Sequence, residues 1–96
     1  MSNPNAAYGQ VAAEALPMIA YLFMHHFGNT NDPQAQQFAQ INPNSVTPEI
    51  LAQMHQYAAQ NHPGILGAVL QNPQVSGALG GFAENELKNI LGGHGL

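Results

Sequence analysis

The sequence predicts an all-α fold, a compact bundle of four to five short helices, from three observations. Six of the seven prolines follow a residue able to cap or start a helix: Asn3-Pro4, Asp32-Pro33, Asn42-Pro43, Thr47-Pro48, His62-Pro63 and Asn72-Pro73. In that pairing a side-chain oxygen accepts from an orphan N–H, while proline occupies the first turn, where no donor is needed. His62 is the weak member of the set. No run alternates β-branched and polar residues with the period of a strand. Alanine and glutamine, both good helix formers, dominate the stretches between prolines.

The first predicted segment covers residues 5–27, with Pro17 expected to kink it and Gly28 to supply a C-cap glycine. Its second half, residues 16–27, is apolar on nearly every face, so it must be surrounded, either by the other segments or by another molecule. The second segment, 33–41, is short and glutamine-rich, with Phe38 and Ile41 three apart. The third, 48–61, is the clearest amphipath: Ile50, Leu51, Met54, Tyr57 and Ala58 form one stripe opposite Glu49, Gln53, Gln56 and Gln60. The fourth, 63–70, is apolar all round. The fifth, 73–91, presents Val75, Leu79, Phe82, Leu87 and Ile90, with Glu84 placed four residues before Lys88 for a surface pair. Residues 1–91 thus read as one helical domain, and the Gly-rich residues 92–96 as a flexible tail.

Charge excludes several functions. Lys88 is the only Lys or Arg, set against Glu14, Asp32, Glu49, Glu84 and Glu86, giving a formal charge of -4. With one cation there is little to neutralise a phosphate backbone or clamp a nucleotide, so no nucleic-acid partner is expected. The absence of cysteine removes disulfides, thiol nucleophiles and Cys-based metal sites. Residues 11–27 carry Glu14, Pro17, His25 and His26 and fall short of the roughly 20 apolar residues of a spanning helix, so no membrane span is expected. No basic region precedes an apolar stretch, and no cleavable secretory signal is expected.

Catalytic groups are sparse. Glu84 and Glu86 lie two apart and point to different helix faces, where the sequence places both in solvent rather than around one substrate. No nucleophile-elbow or Ser-x-x-Lys pattern occurs. Among the histidines, His25 and His26 are neighbours rather than the i, i+4 pair that a helical zinc site uses, and His55, His62 and His94 stand apart. The sequence therefore predicts no enzyme, no cofactor and no bound metal.

Two features favour association instead. The all-round apolar stretch offers Tyr21, Phe23, Met24 and Phe27 as contact residues. Gly77 and Gly81, beside Phe82, form a small-xxx-small face suited to close helix approach; a break at Gly80-Gly81 is the competing reading. Only 6% of residues are charged, and ten Asn and ten Gln supply much of the polar surface, which is easily desolvated against another protein. The predicted function is a non-catalytic structural or accessory subunit, a homo-oligomer or part of a larger assembly such as a virion, filament or secretion apparatus. Alternatives are a metal- or haem-binding module using His25, His26 and His55, with Met24 or Met54, and an adaptor that receives a partner helix. Because protonation of five histidines opposes a charge of -4, self-association is expected to strengthen as pH falls towards 5.5. Light scattering at neutral pH and at pH 5.5 tests this; equal or weaker association at pH 5.5 shows that self-repulsion does not limit it.

Overall fold

A computed structural model describes the backbone of residues 4–95 and the side chains of residues 4–90. Helices succeed one another with short connections: α1 (Pro4–Gly9), α2 (Leu16–Gly28), α3 (Pro33–Ala39), α4 (Pro48–Asn61), α5 (Pro63–Leu70), α6 (Pro73–Leu79) and α7 (Gly81–Gly95), with 3-10 turns at Ala13–Ala15 and Pro43–Ser45. There is no strand among the described residues. The fold of the described residues is all-α as the sequence predicts, but they form seven α-helices rather than four or five, because two of the predicted segments are divided.

The helix entries obey the proline pattern. Asp32 Oδ1 accepts from the Gln34 N–H at 3.0 Å, Asn42 Oδ1 from Asn44 at 3.0 Å, Thr47 Oγ1 from Ile50 at 3.2 Å and Asn72 Oδ1 from Gln74 at 2.8 Å. His62 makes no side-chain cap on α5. Asn3 lies outside the described residues. The segments predicted at Pro48–Asn61 and Pro63–Leu70 have those bounds.

The first division lies upstream of Pro17. A proline inside a helix lacks the N–H for the carbonyl four residues back and clashes with it. Here Pro17 sits in the first turn of α2, where neither problem arises, and the chain reaches it through extended Ala12 and the 3-10 turn. Pro17 therefore starts a helix instead of kinking one. The second division is at Gly80, whose φ of 62° and ψ of -138° lie where L side chains are strained. Its N–H still donates to Ser76 O at 2.8 Å, and its carbonyl accepts from Ala83 at 3.1 Å, so one residue closes α6 and opens α7. A Cβ added at Gly77 or Gly81 would meet nothing within 4 Å, so the small-xxx-small face makes no close helix approach among the described residues. Gly28 has no positive φ either; α2 ends instead with Thr30 Oγ1 donating to Phe27 O at 2.7 Å. The backbone of α7 continues to Gly95, and Leu96 and the tail side chains lie outside the described residues.

α2 is the centre of the bundle. It packs on α3, α4, α5 and both 3-10 turns; α1 lies on α4, and α7 lies on α5 and α6. Ile19, Ala20, Phe23 and Phe27 of α2 are fully buried, with Leu51, Met54, Leu66, Leu70 and Val75 around them. The intramolecular core thus supplies much of the surround that an all-round apolar helix requires.

The glycines separate conformational need from helix propensity. Gly80→Ala is expected to destabilise by about 1–3 kcal/mol through strain at positive φ, whereas Gly77→Ala, in open space within a helix, stabilises by about 0.5–1 kcal/mol. Urea unfolding of both variants checks this, and a destabilising Gly77→Ala would mean that the face is packed in solution.

Candidate functional site

The clearest polar constellation lies inside the protein. The buried stripe of α4 contains Leu51, Met54 and Ala58, and between them His55, at 1% exposure. The fully buried Tyr8 of α1 donates its hydroxyl to His55 Nδ1 at 2.8 Å. That leaves the proton of a neutral imidazole on Nε2, which donates to Glu86 Oε1 of α7 at 2.7 Å. Asn89, one turn on, donates to Glu86 Oε2 at 3.4 Å. Three helices distant in sequence are joined by this Tyr-His-Glu relay.

Rings frame the imidazole. Phe82, Tyr8 and Phe23 have centroids 5.4, 5.6 and 6.4 Å from that of His55. In these surroundings burial pushes the Tyr8 phenol above its ordinary value, with the Glu86 charge adding to the effect, so the hydroxyl keeps its proton. Burial also pushes His55 below the ordinary 6.5, against the opposing hydrogen bond and charge of Glu86. An open pocket of about 260 Å³ reaches His55 and Glu86 between Pro4, Gln56, Ala59 and Gln60. Among the described residues no hydroxyl or thiol lines it, and both imidazole nitrogens are engaged, by Tyr8 and by Glu86.

A second His-carboxylate-Tyr group sits where α3 begins. Asp32 Oδ2 accepts from the Tyr57 hydroxyl and from His62 Nε2, the latter at 2.9 Å, while Oδ1 caps α3. The Tyr57 and His62 hydrogen bonds, in that order, hold the Asp32 carboxyl down at about 2, and the same Asp32 bond raises Tyr57. The rings of Phe27 and Phe38 lie against Tyr57. His62, at the α4–α5 junction, therefore acts as a tie to α3.

The predicted contact residues divide between inside and outside. Phe23 and Phe27 are fully buried and Met24 nearly so; they belong to the chain's own core and present no outer surface. Phe82 is half-buried against Tyr8 and His55. Gly77 and Gly81 are exposed. Tyr21, at 59%, is the one large hydrophobic residue exposed among those described. Its ring stacks on His25 at 6.2 Å, and His25 meets His26 at 5.5 Å.

His55 is bound to Tyr8 and Glu86 and does not join His25 and His26; no group of three or more metal-capable side chains occurs among the described residues. Nor is Glu86 in solvent: it is only 7% exposed, so the reading of Glu84 and Glu86 as two solvated carboxylates holds for Glu84 alone. Imidazole–carboxylate contacts form at His55–Glu86 and His62–Asp32, and the expected Glu84–Lys88 pair is not seen among the described residues. The signal for the relay was present in the sequence: an acid stands within the stripe Phe82, Ala83, Leu87, Ile90, and a histidine within the stripe of α4. No helix among the described residues is long and apolar enough to cross a membrane. No protein-family model, curated protein or solved structure matches the chain.

Two separate acid transitions are expected. Because the folded His55 resists protonation, the unfolded chain binds more protons below the ordinary 6.5. Stability from this group is complete above that pH and falls as pH drops beneath it. Asp32 acts lower: its stability is complete above 3.8 and is lost as pH falls through about 2. Urea unfolding across pH should show the upper slope abolished in His55→Gln and retained in Asp32→Asn; an upper slope that persists in His55→Gln would assign it elsewhere.

Proposed function

We infer that this protein is a non-catalytic structural or accessory subunit that works by association, through the outward face of α2 packed against a second copy. The observation that carries the reading is the exposure of Tyr21 on the core helix. Around it stand Met18 and Leu22, both half-buried, and His25. Residues 15–31 contain no Asp, Glu, Lys or Arg. A two-fold contact sets one surface against itself, and a fixed charge near the axis would meet its own like. A face without one escapes that penalty and is inexpensive to desolvate.

The remaining surface agrees with this. Asp32 and Glu86 are bound to histidines, which leaves Glu14, Glu49, Glu84 and Lys88 as the exposed charges among the described residues. Exposed glutamines, among them Gln34, Gln36 and Gln37 of α3, Gln40 just after it, and Gln53, Gln56 and Gln60 of α4, cover much of the rest. Amides donate and accept hydrogen bonds across a contact without the desolvation penalty of an ion.

Size-exclusion chromatography with light scattering at neutral pH tests the proposal. The wild type is expected to rise above its 10.2 kDa monomer mass with concentration. Tyr21→Lys, which sets like charges against each other at an already exposed position, should be monomeric at the same concentrations and equally helical by circular dichroism. A wild type that stays monomeric throughout overturns self-association.

A further inference from the structure

The described histidines fall into two kinds. His55 and His62 are each bound to a carboxylate. Among the described residues, the imidazoles of His25 and His26 have no hydrogen-bond partner; their ring contacts are with each other and with Tyr21. Both lie at the end of α2, His25 exposed and His26 half-buried. They are two imidazoles held side by side at the end of α2, His25 on the face proposed above for association and His26 at its margin.

Their spacing suits a shared ion. Adjacent helical side chains diverge by about 100° at the backbone, yet here the ring centres approach to 5.5 Å with planes at 75°. With a Zn–N bond of about 2.0–2.1 Å, an imidazole centre lies about 3.2 Å from the metal, and two imidazoles on a tetrahedral ion have centres about 5.2 Å apart. The stack of Tyr21 on His25, with planes 23° apart, restrains that ring. Two imidazoles are half of a tetrahedral set, and no third metal-capable side chain joins them within the described residues. A second copy related by a two-fold axis brings the same pair. Four imidazoles favour a borderline transition ion such as Zn²⁺, and the formal charge of -4 on each chain attracts a divalent cation at long range.

We propose that His25 and His26 form half of a transition-metal site, completed by His25 and His26 of a second copy, so that a divalent ion locks the α2 contact. The proposal rests on the reading that this face associates. Because both copies carry any substitution, removal of either imidazole takes away two of the four ligands.

The test is light scattering of the full chain with Zn²⁺ alone, then with EDTA, alongside Co²⁺ substitution. Zn²⁺ is expected to lower the dimer dissociation constant by about tenfold or more, reversibly with EDTA and at one ion per two chains. Co²⁺ should give the strong visible absorption of a tetrahedral nitrogen site. His25→Ala and His26→Ala should each lose the zinc response and the cobalt spectrum while remaining helical, and His94→Ala should retain both. A dimer that depends on Tyr21 but ignores Zn²⁺ overturns the metal site and leaves the association reading standing. A monomer with and without Zn²⁺ overturns both. A monomer that dimerises only with Zn²⁺, through His25 and His26, supports the site and overturns association without metal. A zinc response that survives both histidine variants overturns the site.

Discussion

His55, at 1% exposure, must find a donor for one ring nitrogen and an acceptor for the other within the protein. An imidazole buried with either nitrogen unpartnered would carry a desolvation penalty of about 1–3 kcal/mol. Tyr8 and Glu86 meet the two needs in opposite senses, the phenol as donor and the carboxylate as acceptor. Their positions are therefore fixed relative to α4 far more sharply than an apolar contact would fix them. This matters because the helices concerned are individually weak. α1 has six residues, too few to persist alone, and α7 comes directly after a glycine at positive φ. Apolar burial collapses the bundle, and the relay selects which faces of α1 and α7 meet α4.

The parts of the fold legible in the sequence are those set by local chemistry. Asp32, Asn42, Thr47 and Asn72 each cap the helical turn on their C-terminal side because the bond needs only a backbone N–H two or three residues away, and α4 and α5 could be bounded from their prolines. The divisions within the first and last segments were decided by competition. At Pro17 a helical pattern competed with a missing donor, and the chain turned before the proline instead of bending at it. At Gly80 close glycine packing competed with the freedom of glycine at positive φ, and the freedom prevailed. The members of the relay were marked in the sequence but their pairing was not, for a different reason: joining His55 to Glu86 requires knowing that α4 and α7 face each other, which neither helix encodes alone. What the sequence did contain was one mismatch in each apolar stripe, and two mismatches of complementary chemistry are a sign of contact.

The same pairing changes the account of the surface. Few charged residues are present, and the fold places two of the five carboxylates on histidines. Asp32 draws Tyr57 and His62 together and thereby fastens the start of α3 to the α4–α5 junction. Glu86 does the equivalent inside. The solvent-facing surface is poorer in charge than the composition suggests. Composition by itself cannot distinguish a chain that is sparingly charged throughout from one that uses its acids internally, and the second is the stronger argument for a surface suited to protein contact.

In the association proposed above, α2 combines two roles that are usually assigned to different elements. Its inner faces, with Phe23 and Phe27, are continuous with the core, and its outer face carries Tyr21, His25 and His26. Because side chains on opposite faces of one helix share only the backbone, the outer residues can change without creating a cavity, while the inner ones cannot. An association face placed there is attached to the most completely packed part of the molecule. Little conformational entropy then remains to be lost on contact, which favours binding by a rigid surface over binding by a loop that must first be ordered. A core helix and a contact helix are therefore not exclusive alternatives for α2, since the packing that makes it a core helix also holds its outer face rigid.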